Sequence, residues 1–336
     1  MKRTQKSYRI ALGGAAVLAA IGLVACSSDG GEPSAASGTS EAGAQIQGVT
    51  AGVIPVTDAG PIAMGLDAGI WEDNGLDLTI ETARSVPDIT SAVMAGDYQI
   101  GYNGATGVFQ AIENGIDLVV IAAASATGDD PDAGINDILM RADAEFASAA
   151  DLEGRKVAVS SLGGYTHVLG QIAVAAEGGN PDAVDWVELA VPDQPAALAG
   201  GMIDAYVAGE PFGTLGRDQG FVTLSNPHLY LSDGKGVVGG VWYASREAVE
   251  ADPELYAQIV AAIDESNALA LSDDAGLRAA IAEFTGIAPD LAAKIRLGSY
   301  GKLPLSVANL QPLADASLEY GVVQNEVDLD ALIWQP

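Results

Sequence analysis

VTAGVIPVTDAGPIAMGLDAGIWEDNGLDLTIE, residues 49–81, contains one complete strand–helix–strand unit. Its first six residues are apolar or small and read as a strand over 49–54. Pro55, Val56, Thr57, Asp58 and Gly60 then form a loop. Pro61 suits a first helical turn, and Ile62, Leu66 and Ile70 fall on one helical face at i, i+4 and i+8. The run Asp73-Asn74-Gly75 supplies a turn, and 76–81 reads as a second strand. A strand returning after a helix pairs in parallel with the first, so this unit predicts an α/β fold.

The same alternation extends along the chain. Further strands are expected at 98–102, 118–123, 156–160, 185–189, 205–207, 221–224 and 241–244, and a helix at 89–95. The strand–helix pattern of 49–102 is loosely echoed at 156–207, as two similar lobes would require. Residues 253–271, 274–285, 289–296 and 306–320 read as successive helices; Tyr256, Ile259, Val260 and Ile263 give the first an apolar face.

With 336 residues the chain can form two domains with their own cores. Net charge is −30. Four of the 15 basic residues (Lys2, Arg3, Lys6 and Arg9) precede Cys26, leaving 11 against 45 acids beyond it. Such a surface excludes a nucleic-acid binder and disfavours adsorption to anionic lipid. Cys26 is the only cysteine, and His167 and His228 are the only histidines. An internal disulfide, a Cys/His zinc site and a cysteine nucleophile within the folded region are thereby excluded, and no bound metal is expected.

The N-terminus reads as an address. Residues 1–9 are basic and polar, and 10–25 are apolar but short for a membrane span. Leu23-Val24-Ala25-Cys26 resembles the bacterial lipobox, which implies cleavage before Cys26 and its lipidation. Residues 27–45 carry no large apolar side chain and read as a flexible tether.

Four blocks in order carry a wider resemblance: the stretch at 49–81; ITSAVMAGDYQIGYNGATGVFQAIENGIDLVVIAAAS at 89–125; SAADLEGRKVAVSSLGG at 148–164; and ALAGGMIDAYVAGEPF at 197–212. Together they resemble the solute-binding proteins of the nitrate/sulfonate/taurine and thiamine-pyrimidine-precursor family. The resemblance implies a type II periplasmic-binding-protein fold, in which two α/β lobes joined by two crossing segments close on a ligand. It implies the solute-binding lipoprotein of an ABC importer, acting as a monomer outside the cytoplasm with permease and ATPase subunits as partners. The expected organisation is a signal peptide at 1–25, a lipidated cysteine and tether at 26–45, lobe 1 at 46–135 and 240–336, and lobe 2 at 136–239.

Ligands of doubly wound sheets sit beyond the carboxyl ends of the strands. That rule nominates Thr57, Asp58, Arg84, Asn103, Gly104, Ala105, Thr106 and Ser125 in the first lobe, and Ser160, Ser161, Gly163, Gly164, Tyr165, Thr166 and Glu210 in the second. Trp242 joins them as a ring that either stacks on a ligand or packs in the hinge. Asp58, Thr106 and Thr166 could also be helix caps. Arg84 could pair with an acid, and Glu210 matches an acidic-residue-plus-proline position of the family.

There is no G-x-x-x-x-G-K-[ST] loop, no G-x-G-x-x-G after a strand and no nucleophile elbow, so neither a cofactor nor catalysis is expected. One enzyme of the broader family makes the thiamine pyrimidine through a cysteine-rich iron-binding motif that this chain lacks. With Asp58 and Glu210 at strand tips and few basic residues there, the expected ligand is a pyrimidine-like or amine-bearing molecule. A sulfonate, nitrate or taurine-type anion is the alternative, as is a sensing or interaction lipoprotein without a transport role.

Overall fold

The computed structural model describes residues 46–127, 135–231 and 236–336. The expected signal peptide, Cys26 and tether lie outside the described residues.

Among the described residues, ten strands make two five-stranded sheets. The first contains β1 (Gln47–Val53), β2 (Leu76–Thr82), β3 (Ile100–Gly104), β4 (Leu118–Ala126) and β10 (Val238–Ser245) in the order β2-β1-β3-β10-β4. The second contains β5 (Asn136–Met140), β6 (Lys156–Val159), β7 (Asp185–Glu188), β8 (Ala205–Gly209) and β9 (Val222–Ser225) in the order β7-β6-β8-β5-β9. These are the two α/β lobes of a type II periplasmic-binding-protein fold.

The two sheets share one plan. β1 is parallel to β2 and β3, and β6 is parallel to β7 and β8. Each sheet also takes one antiparallel strand from the chain that has just crossed over. β5 follows the passage from β4 and runs antiparallel to β8 and β9. β10 follows the passage from β9 and runs antiparallel to β3 and β4. The sheets are therefore mixed, where the sequence pattern pointed to mostly parallel pairing.

Local chemistry explains the elements. Every residue of β4, LVVIAAASA, is buried, as suits a strand covered on both faces. Helix Gly60–Ala68 has Pro61 in its first turn and ends at Gly69, whose φ of 81° satisfies the helix end. Helix Val86–Ala95 starts three residues before the position expected from the apolar pattern, because Ser85 caps it by accepting from Asp88 N at 3.4 Å. Asp252 caps helix Pro253–Ser272, which packs Tyr256, Ile259 and Ile263 into the core of lobe 1 beside helix Gly60–Ala68.

The strand missed by pattern reading is β5. It opens on Asn136 and Asp137, two polar residues that are nonetheless buried. Helix Val307–Glu319 packs on both Ala105–Glu113 of lobe 1 and Tyr165–Ala176 of lobe 2, so one side of the inter-lobe seam is closed by apolar contact.

Candidate ligand-binding cleft

Between the lobes lies a cavity of about 760 Å³. That is ample for a small organic molecule. Lobe 1 contributes residues 54–56, 58, 82–87, 102–104 and 240; lobe 2 contributes 135–136, 160–161, 165–166, 188–193, 207 and 209–210.

Of the nominated residues, the structure brings Asp58, Arg84, Asn103, Gly104, Ser160, Ser161, Tyr165, Thr166 and Glu210 to this cavity. Thr57, Ala105, Thr106, Ser125, Gly163, Gly164 and Trp242 do not line it. Thr57, Ala105 and Thr106 are fully buried beneath the surface of lobe 1. Ser125 stands behind Asp58 as its hydrogen-bond donor. Gly163 lies under the side chain of Gln110 and donates its N–H to His167 Nδ1 at 2.9 Å, and Gly164 caps helix Tyr165–Ala176. Trp242 is paired across the sheet with Tyr102, its ring edge-on at 5.8 Å, so it supports a cleft residue from the core.

Asp58 is the most distinctive group at the cleft. It lies in the short helical turn Thr57–Ala59 and makes no cap contact there. Ser125 Oγ donates to its Oδ1, and the Tyr102 hydroxyl is also hydrogen-bonded to it. Burial raises its pKa above the usual carboxylate value, and these two hydroxyls offset only part of that rise. Tyr102 and Tyr165 are pushed up as well, by burial first and by the nearby Asp58 charge second. Such a carboxyl can meet an ammonium group as an anion or, when protonated, a ring nitrogen as a donor.

Glu210 lines the cleft, but its carboxylate is already engaged. Oε1 accepts from Arg217 Nη2 at 2.5 Å and from Thr214 Oγ1 at 2.9 Å, and Oε2 accepts from Thr214 N at 3.0 Å. Arg217 also reaches Asp137. Glu210 thus belongs to a charge cluster behind the wall. Thr166 is engaged too: Ser160 N donates to its Oγ1 at 3.1 Å, and the two hydroxyls are 2.9 Å apart, so it ties the Ser160 loop to its helix.

Arg84 is exposed at the cavity, the single basic residue lining it among the described residues. The structure adds residues that the strand-tip reading passed over: Asn136 at the start of β5, and the loop Glu188 to Asp193 that follows β7. The loop obeys the same rule as the others and was accessible to it. Asn136 had no such signal, since β5 itself was hidden. Among the described residues, no group of three or more His, Cys, Asp or Glu side chains could hold a metal ion.

Comparison with known proteins bears on the family. Among curated proteins none matches. Solved structures share the fold. The alkanesulfonate-binding protein SsuA from Xanthomonas axonopodis pv. citri, bound to MOPS, superposes with a TM-score of 0.72 at 20% identity, covering 86% of this chain and 98% of that one. The ligand-binding component of an ABC-type import system from Staphylococcus aureus, with zinc bound, gives 0.73 at 17% identity, covering 86% and 96%. The desulfurization enzyme DSZB gives 0.62 at 17% identity, covering 85% and 96%. At such identities these likenesses speak for the fold alone. The sequence itself matches the model of the NMT1-like family over residues 42–286, and with most of the folded region inside that match, the chain belongs to the NMT1-like family.

Proposed function

We propose that this protein is the extracytoplasmic solute-binding component of an ABC importer. It captures a small organic molecule between its lobes and presents it to permease and ATPase subunits, anchored to the cell membrane through lipidated Cys26. The observation that carries this reading is the inter-lobe cavity, to which strand-tip loops of both lobes contribute. The likeness to the Staphylococcus aureus import component and to SsuA supports it.

Asp58 favours a pyrimidine-like or amine-bearing ligand over a simple anion. Among the described residues, the cleft lining holds four acids, Asp58, Glu188, Asp193 and Glu210, against Arg84 alone. A bare anion would find little compensation there. The fold likeness to DSZB favours catalysis as the second reading. Against it, among the described residues no His or Cys side chain lines the cleft: His167 Nδ1 accepts from backbone, and His228 contacts Asn136. Native mass spectrometry of the gently purified protein, followed by calorimetry with the molecule it retains, tests the proposal. Retention of an intact small molecule supports it, and conversion of that molecule on incubation overturns it in favour of catalysis.

A further inference from the structure

Tyr165 begins the helix Tyr165–Ala176 of lobe 2, yet its side chain lies along the backbone of lobe 1. A Cβ placed on Gly104 would come within 2.6 Å of Tyr165 Cβ, and one placed on Gly239 within 2.6 Å of the Tyr165 hydroxyl oxygen. Gly104 ends β3 and Gly239 belongs to β10, the neighbouring strand, where Gly240 is in register with Gly104. Two adjacent strands thus leave a slot one side chain long. Its ends are set by the root and the tip of a single tyrosine from the opposite lobe.

The slot belongs to the hinge. Gly239 lies where the second crossing segment enters lobe 1, and His228 lies near where that segment leaves lobe 2. The His228 ring is 6.3 Å from the Tyr165 ring, and its Nε2 is 3.2 Å from Asn136 Oδ1, on the strand where the first crossing segment enters lobe 2. Tyr165 is therefore set between Gly239 and His228, which border the two ends of the second passage, and it also lines the ligand cavity.

We infer that Tyr165 is a positioning residue: it seats as a key between the lobes, and the bare backbone at Gly104 and Gly239 is the lock that sets the width of the cleft. On this view the missing side chain at Gly104 serves the neighbouring lobe as much as a ligand. The ring is rigid and its root is fixed against Gly104, so it cannot swing from an added methyl at 239 without the lobes separating.

The inference does not depend on what the ligand is, and its test needs none. Small-angle scattering is recorded on the purified ligand-free protein for the wild type, Gly239→Ala, Tyr165→Ala and the double variant. Gly239→Ala should increase the radius of gyration when Tyr165 is present. The same change should have no effect in the Tyr165→Ala background, because the partner of the clash is gone. An equal increase in both backgrounds, or none in either, overturns the inference. Should Gly239→Ala fail to fold, the double variant decides: recovery of a cooperative melt by circular dichroism supports the key, and persistent misfolding rejects it. Gly104→Ala provides a control with the opposite pattern. Its clash is with Tyr165 Cβ, which an alanine side chain retains, so Tyr165→Ala should not relieve it.

Discussion

Arg296 reaches from the C-terminal segment of the chain to Asp137 on β5, with Nη1 2.7 Å from Oδ2. Arg217 of lobe 2 donates to that same oxygen, also at 2.7 Å. One buried carboxylate oxygen therefore holds two guanidinium groups that approach from different parts of the fold. Lys294, two residues earlier, pairs with Asp218 at 2.8 Å and doubles the tie. Asp137→Ala should destabilise the protein by about 3 kcal/mol, since it removes the buried carboxylate that Arg217 and Arg296 share. Arg296→Ala should cost less, about 1 kcal/mol, because its guanidinium is partly solvated. Urea unfolding followed by tryptophan fluorescence measures both.

Asp58 sets a pH dependence with a definite sign. Its pKa is higher in the folded protein than its ordinary value near 3.8. The folded state thus favours the neutral form, a benefit fully present below that ordinary value and lost as pH rises through the folded one. Asp58→Asn removes the titration. It should melt close to wild type at about pH 4 and higher at pH 8, by about 2–5 °C. Differential scanning calorimetry across that range gives the answer. In binding, the same variant should lose about tenfold or more in affinity for an amine-bearing ligand.

Glu210 should behave in the opposite manner. Its carboxylate is occupied by Arg217 and Thr214. Glu210→Ala is expected to lower stability by about 2–3 kcal/mol, because Arg217 and Thr214 both lose a buried acceptor and Arg217 is left with Asp137 as its acidic partner. Its effect on ligand affinity at a temperature where the fold is intact should be smaller than that of Asp58→Asn. Paired denaturation and calorimetry separate the two.

His228 makes the protein sensitive to mild acid. Burial lowers its pKa from 6.5 to about 4. Its contribution is complete above 6.5 and declines as pH falls toward the folded value, amounting to on the order of 2–3 kcal/mol. His167, lowered to about 4 by burial and stacked edge-on against Trp186, acts in the same direction. His228→Phe should therefore reduce the stability lost between pH 7 and pH 4. Chemical denaturation at a series of pH values reads the slope.

Cys26→Ser should release the protein from membranes while leaving its melting profile unchanged. Fractionation of cells expressing the variant tests this. Continued membrane association would reject the lipid anchor.

The strands with apolar or alternating patterns were legible in the sequence, and so was the two-lobe plan, because each strand–helix–strand unit reports its own parallel pairing. β5 was not legible. Asn136 and Asp137 carry no hydrophobic signal; they are buried because Arg217 and Arg296 arrive from distant positions to compensate the charge. The site divides along the same line. Asp58, Asn103, Ser160 and Tyr165 follow from their places at strand tips. What those side chains already touch does not. Glu210 looks like a free acid until Arg217 is seen against it, and Trp242 looks like a ligand platform until it is found beneath Tyr102.

The late arrival of β10 imposes an order of assembly. It inserts between β3 and β4, pairing Trp242 with Tyr102 across 140 positions of sequence. A chain made from its N-terminus thus completes β1 to β4 with a gap between β3 and β4. Lobe 2 has no such gap, because its antiparallel strand β5 is its first. It can close while lobe 1 still waits, and the long loop that β10 must close slows the final step. The topology thus allows maturation to proceed from the middle of the chain outward. Until it ends, the edges of β3 and β4 stay unpaired, so the nascent protein is most exposed to mispairing in the lobe that is synthesised first.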